Sequence, residues 1–273
     1  MSGPAAFRDT GRERRLRRDG FVRLEPLGAD RLERVRAIFE GFADRYDGGF
    51  LATLLLPDLA HRRAVHEALA VEMDPLVDAA LHGYRSVFWG FVVKRPSEDG
   101  ELGLHQDITL LAEGDTRPGL TVWTPLVDVE PANGCLSMVP GSHRTNSMPR
   151  GPGTPFPYPE AEAAIRERCL VELPAPAGTG VAMDHRTFHC SPPNTGTATR
   201  PAVAGILLPR EADLRYYHRT IGEAGPCLEG FAVDDGFLLR HLLGTRPDGG
   251  RSLGTAPETV TRMPAELMSS LSS

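Results

Sequence analysis

Between residues 86 and 208 the chain is cut into short apolar runs by turn residues, and that punctuation constrains its fold more than any other feature. Val87-Phe88-Trp89-Gly90-Phe91-Val92-Val93-Lys94 has the aromatic and β-branched content and the length of a buried strand. Runs at 120–126, 135–139, 181–186 and 202–208 repeat the pattern. Between them lie Arg95-Pro96-Ser97-Glu98-Asp99-Gly100, Glu130-Pro131-Ala132-Asn133-Gly134 and Gly178-Thr179-Gly180, and Asn-Gly is a strong turn signal. Short strands at near-regular spacing imply a sandwich or barrel, here a mainly β jelly roll with helices packed outside it.

The flanks read differently. Residues 1–20 look polar and mobile, and Gly20-Phe21-Val22-Arg23-Leu24 alternates like a short strand. Asp30-Arg31-Leu32-Glu33 has capping-box spacing, and Leu32, Val35, Phe39 and Phe42 then recur at helical period. A second helix is expected after Pro57-Asp58, through Val65, Leu69 and Met73 to about Leu81, with a break near Pro75. Residues 145–160 read as a loop, 160–168 as a short helix, and the tail after Arg210 as irregular with a helical pattern at 235–243. With no internal repeat and no linker, the expectation is one domain over 1–273: a helical part at about 25–84, a β core at about 85–210, and a tail or lid at 211–273.

Composition narrows the function classes. With 273 residues, 41% hydrophobic and 24% charged, the chain can bury a sizeable core. A formal charge of −6 argues against nucleic-acid or anionic-membrane binding. The basic run Arg12-Glu13-Arg14-Arg15-Leu16-Arg17-Arg18 reads as a solvated helix face or flexible arm. Cys135, Cys169, Cys190 and Cys227 form no Cys-x-x-Cys, and no apolar run approaches membrane-spanning length, so reduced thiols and a cytoplasmic protein are expected. Lys94 is the sole lysine, although Lys and Arg together number 30. Arginine serves elsewhere, so this position either needs the compact ammonium or has kept it by chance.

The candidate chemistry starts at Leu104-His105-Gln106-Asp107. Residues two apart on extended backbone share a face, which sets an imidazole beside a carboxylate. Asp184-His185-Arg186-Thr187-Phe188-His189 offers a further histidine. Two histidines and one carboxylate with open positions are the ligand set of non-heme Fe(II) oxygenases. On a strand His185 and His189 would lie roughly 13 Å apart, so only one of them could join the first pair at one ion. His61, His66, His82 and His143 read as packing, surface or hydrogen-bonded residues.

In order, Leu104-His105-Gln106-Asp107, the Trp123 strand, Asn133-Gly134-Cys135-Leu136, Val139-Pro140-Gly141-Ser142-His143-Arg144, and His189-x-Ser191-x-x-Asn194 with Arg200 resemble the phytanoyl-CoA dioxygenase family of Fe(II)/2-oxoglutarate oxygenases. The resemblance covers about residues 85–210, with Arg18-Asp19-Gly20-Phe21-Val22 in weaker support. It implies a double-stranded β-helix that binds Fe(II), 2-oxoglutarate and O2 at its mouth. His105, Asp107 and His189 match its iron ligands. Arg200, eleven residues past His189, matches the arginine that grips the far carboxylate of 2-oxoglutarate, and that spacing favours His189 over His185. A planar guanidinium suits that two-pronged contact. Ser191, on the parity of His189, and Trp123 are placed beside the same co-substrate.

An aspartate at 107 points the resemblance to hydroxylation, desaturation or ring closure, since related halogenases keep that position small. Lys94 is assigned either to an anionic substrate group or to bracing the rim. The segment Leu214-Arg215-Tyr216-Tyr217-His218-Arg219 is a candidate lid, with Tyr216 and Tyr217 as candidate substrate contacts. Its rings and bases suit a polar or anionic small molecule, in bacterial specialised metabolism. No residue pattern specifies an oligomeric state. Two rivals stand beside this reading: a cupin-type isomerase or lyase without 2-oxoglutarate, which Arg200 speaks against, and a catalytically silent jelly-roll binding module.

Overall fold

The computed structural model describes residues 3–46, 48–112, 114–223, 225–258 and 263. Along the chain run α1 (Thr10–Asp19), β1 (Phe21–Pro26), α2 (Ala29–Phe42), β2 (Phe50–Ala52), α3 (Leu59–Ala80), β3 (Tyr84–Lys94), β4 (Leu102–His105), β5 (Leu120–Pro125) and β6 (Ser137–Met138). Then come α4 (Glu162–Arg168), β7 (Val171–Glu172), β8 (Thr179–Asp184), β9 (His189–Ser191), β10 (Arg200–Pro209), β11 (Arg215–Gly222), β12 (Gly225–Ala232), α5 (Phe237–Arg240) and β13 (Arg251–Pro257).

Two sheets make the jelly roll. The larger is ordered β1-β8-β5-β10-β3-β2 and the smaller β4-β9-β6-β7, with antiparallel neighbours throughout. Strand β3 reads as a continuous apolar run because both its faces are covered. Trp89, Phe91 and Val93 face the helices, where they meet Val35 of α2 and Val65, Leu69, Met73 and Val77 of α3. That stripe, every fourth residue of α3, is the helix's apolar seam, and each such side chain contributes about 1.5–3 kcal/mol on burial. The other face of the large sheet sends Trp123, Val181, Met183 and Ala202 inward against Leu136 and Met138, which fills the space between the sheets.

Several local expectations are corrected. Residues 3–20 are packed on the fold: Asp9 accepts from the Arg12 N–H at 2.7 Å to cap α1, and Ala6, Phe7 and Leu16 are buried. The basic run lies on this helix. Gly20 ends it at φ 84° and donates its N–H to the Leu16 carbonyl, a left-handed position that suits glycine. Helix α2 starts at Ala29 behind Gly28, with no side-chain cap, so Asp30 lies in the first turn instead of capping it. Pro75 does not break α3. It faces solvent, and its missing N–H leaves the carbonyl of Val71, itself 74% exposed, to water.

The tail is the largest departure from expectation. Its described part folds as a three-stranded sheet, β11-β12-β13, with α5 a single turn, and 259–262 and 264–273 lie outside the described residues. Tyr216 and Phe231 pin this sheet against Phe88, Leu110 and Phe237. Fully buried Arg62 of α3 donates to the carbonyls of Leu56, Leu238 and His241, which ties the tail to the helical layer. Among the described residues no helix is long and apolar enough to cross a membrane.

Candidate active site

The short pairing of β4 with β9 builds the centre. In that register His105 stands opposite His189, and their rings lie 4.1 Å apart between centroids. Asp107 follows just past the end of β4, where its N–H donates to the His185 carbonyl at 2.9 Å. One ligand atom each from His105, Asp107 and His189 lie within 4.8 Å of one another.

Each side chain is aimed by a neighbour. The Nδ1–H of His105 donates to the Gly103 carbonyl at 2.8 Å, and that of His189 to the Thr187 carbonyl at 2.9 Å. Both Nε2 atoms are thereby left as bare donors of an electron pair. The Thr121 hydroxyl donates to Asp107 Oδ2 at 2.6 Å, which leaves Oδ1 facing His189 Nε2 at 3.8 Å. Burial, and next the charge of His189, hold the His105 imidazole down to about 4, so it is neutral at neutral pH as a ligand must be. Burial alone would raise Asp107, but His189, His185, His105 and the Thr121 hydroxyl outweigh it and keep the carboxylate below its ordinary range. A half-buried carboxylate beside two imidazoles with their Nδ1–H groups engaged is a donor set for a divalent cation, and the residues fit ferrous iron.

The cluster opens into a cavity of about 270 Å³. Arg200, 1% exposed at the start of β10, lines it with Ser191 and Trp123. Its guanidinium carbon sits 5.4 Å from the Trp123 ring centroid, its Nη1 reaches only the Val92 carbonyl at 3.4 Å, and its Nε has no partner. No carboxylate pairs with it among the described residues, and burial pushes it down to about 10. A buried cation without an acid is costly unless an anion arrives. The cavity therefore fits a carboxylate at Arg200.

His185 does not join the cluster. Its backbone carbonyl holds Asp107, while its ring is buried, lines the cavity and is kept low by burial. His143 is buried with Nε2 3.2 Å from the Arg17 carbonyl, as a hydrogen-bonded structural residue should be. The proposed substrate contacts are not brought to the cavity. Lys94 is fully buried and donates to the carbonyls of Ser191, at 2.9 Å, and Pro192, so it braces the turn behind β9. Tyr216 is a core residue whose hydroxyl accepts from the Gly244 N–H at 3.0 Å. Tyr217, of opposite parity, lines a separate cavity.

Sequence reasoning missed Thr121 and Gln106. Thr121 shares strand parity with Trp123, and that was the available signal. Gln106 points away from its two ligand neighbours; its amide donates to the carbonyls of Asn146 and Arg186 and anchors the covering loop.

Comparison with known proteins agrees with this geometry. A family model described as phytanoyl-CoA dioxygenase (PhyH) matches residues 16–202. The chain is 33% identical over 116 residues to phytanoyl-CoA dioxygenase domain-containing protein 1 of Danio rerio, 40% of each chain. It is 32% identical over 126 residues, 43% of each chain, to the protein of that name in Rattus norvegicus. The aligned part thus spans about two fifths of the curated relatives. Among solved structures, the epimerase SnoN in complex with Fe3+, alpha ketoglutarate and nogalamycin RO superposes with a TM-score of 0.55 at 23% identity, over 92% of this chain and 95% of that one. HygX from Streptomyces hygroscopicus, with nickel and 2-oxoglutarate bound, gives 0.53 at 15% identity over 74% of this chain and 88% of that one. The structural likenesses establish the jelly-roll fold, and the family model, matching more than half of the sequence, establishes that the chain belongs to the phytanoyl-CoA dioxygenase family.

Proposed function

We propose that the protein is an Fe(II)/2-oxoglutarate-dependent oxygenase that hydroxylates a small molecule. One observation carries this reading: Arg200, buried and without an acid, lines the same cavity as His105, Asp107 and His189. When bound, ferrous iron and 2-oxoglutarate supply an O2-dependent two-electron oxidation of a C–H bond, and the co-substrate leaves as succinate and CO2.

The chain's own part is to bind, orient and exclude water. His105, Asp107 and His189 would hold the metal, and Thr121 fixes the Asp107 carboxylate with Oδ1 toward His189 Nε2. Arg200, packed on the Trp123 ring, would grip the distal carboxylate of the co-substrate, and Ser191 lines the same corner. Beyond these groups, His185 and Gln106, the wall is apolar, with Phe50, Leu54, Phe88, Leu110, Ile206 and Leu243. Such a wall keeps water from the reacting centre and selects an apolar portion of the substrate to meet it. SnoN is described as coming from nogalamycin biosynthesis, and we favour a specialised metabolite as the substrate of this chain too.

The test is an anaerobic visible spectrum of the intact chain with Fe(II), before and after 2-oxoglutarate. The expected result is a new metal-to-ligand charge-transfer band, absent in His189→Ala and in Arg200→Met. Iron bound without any band would overturn the reading and favour a cupin-type enzyme that needs no 2-oxoglutarate.

A further inference from the structure

A second cavity, of about 420 Å³, lies between the 146–155 loop and the outer sheet of β11, β12 and β13. Two cations line it. Arg150 is only 6% exposed; its Nη2 donates to the carbonyls of Thr154 and Pro155 at 3.1 and 2.9 Å, and its Nε has no partner. Arg215, on the parity of Tyr217, donates from Nη1 to the Leu214 carbonyl at 3.1 Å. Its only carboxylate among the described residues is Asp213, at 3.6 Å and 80% exposed, a solvated pair of little worth. The one acid in the wall, Glu258, is already spent on Arg219, with both oxygens bonded at 2.5 and 3.1 Å. The cavity thus presents two cations against one acid that is already bonded to Arg219, beside the apolar surfaces of Met148, Leu228 and Leu253.

The wall of this cavity is tied to the segment that follows Asp107. The Arg150 N–H donates to Thr109 Oγ1 at 3.1 Å, and its carbonyl accepts from the Thr109 N–H at 2.9 Å, two residues beyond Asp107. Burial pushes the Arg150 guanidinium down to about 10, while the charges of Glu258 and Asp107 pull it back up. The loop that carries Arg150 sits directly on β11, since a Cβ on Gly151 would collide with the Tyr217 carbonyl. The loop of Arg150 is thereby held against the strand of Arg215, and a preformed site binds with little loss of entropy.

We propose that this cavity holds the anionic head group, a carboxylate or phosphate ester, of the molecule the enzyme oxidises, with Arg150 and Arg215 as its cationic contacts. The inference rests on the oxygenase reading for its substrate and on the two arginines for its charge. A ring or alkyl body on the head group lies along Met148, Leu228 and Leu253.

The experiment is calorimetric titration of the intact, metal-loaded chain with phenylphosphate, benzoate, inorganic phosphate and benzamide. Phenylphosphate or benzoate should bind, benzamide should not, and inorganic phosphate should bind more weakly than phenylphosphate. Arg215→Gln, on the outer sheet, and Arg150→Gln should each weaken binding about tenfold, whereas Arg14→Gln, exposed on α1, leaves it unchanged. Undiminished affinity in Arg215→Gln and Arg150→Gln overturns the proposal, as does a loss confined to Arg200→Gln. Inorganic phosphate binding as tightly as phenylphosphate would make this a site for a free anion and overturn the substrate head group. The 2-oxoglutarate charge-transfer band, measured on the same proteins, separates the two failures: it should survive in Arg150→Gln and Arg215→Gln, and its absence from the unaltered chain strikes the oxygenase reading alone.

Discussion

His105 stands directly opposite His189 in the β4–β9 pair, with 4.1 Å between ring centroids, and each donates its Nδ1–H to a carbonyl two residues earlier in its own chain segment. The same local geometry, used twice, leaves both Nε2 atoms free and pointing to one place. The backbone therefore sets the histidines, whereas the aspartate, past the strand end, depends on a side chain to orient it.

That dependence predicts the effect of Thr121→Val. Valine keeps the β-branched shape but removes the 2.6 Å bond to Asp107 Oδ2. Loss of such an outer hydrogen bond typically costs about 10–100-fold in metal affinity or activity. Titration with Mn(II), followed by its paramagnetic resonance, should show that weakening with an unchanged circular dichroism spectrum. Wild-type affinity would exclude Thr121 from the centre.

Arg200→Met should raise the stability of the chain without bound small molecules while abolishing co-substrate binding. The wild-type guanidinium is buried with no acid beside it. Replacing buried ionic groups by apolar ones of similar volume is neutral or stabilising by about 1–4 kcal/mol. Urea unfolding should give a midpoint at or above wild type, and added 2-oxoglutarate should raise the midpoint of wild type alone. A less stable variant would mean that packing on Trp123 outweighs the buried charge.

What the sequence made legible follows from how strictly the chemistry restricts residue type. Few side chains ligate iron, so His105 and Asp107 stand out, His189 is chosen over His185 only by the resemblance and its spacing to Arg200, and β3 is plain because both its faces need apolar side chains. Thr121 was hidden because threonine in a strand is an ordinary strand former, and Arg150 because one arginine among many carries no local mark. The tail was misread for a related reason: β13 is exposed at every residue and so has no apolar alternation to detect. Of Tyr216 and Tyr217, adjacent and alike in the sequence, only the fold decides which one enters the core.

Lys94 makes stability depend on pH. Burial first, and then the charge of Arg200, lower its amine from 10.5 to about 7 in the folded chain. Between these values the unfolded chain holds a proton that the folded chain does not, so stability rises with pH across that window and the full penalty is present below about 7. Urea midpoints from pH 7 to 10 should climb more steeply for wild type than for Lys94→Met, by up to about one proton's worth of slope. Parallel curves would mean that the carbonyls of Ser191 and Pro192 keep the ammonium charged in the fold.

Gly205→Ala tests the seat of Trp89. Gly205 lies opposite Trp89 in the β10–β3 register, and a Cβ there would overlap the indole ring. The indole has little room to retreat: it is fully buried, its Nε1 donates to Asp74 Oδ1 at 2.8 Å, and its backbone N–H donates to His66 Nδ1 at 3.0 Å. Overpacking of this kind costs about 1–3 kcal/mol. Because β10 begins at Arg200, strain that shifts the strand along its length also reaches the co-substrate corner. The variant should lose that much stability in urea and bind 2-oxoglutarate more weakly. Adding Trp89→Phe should restore both, since the smaller ring vacates part of the contested volume; destabilisation that Trp89→Phe leaves in place would locate the strain elsewhere.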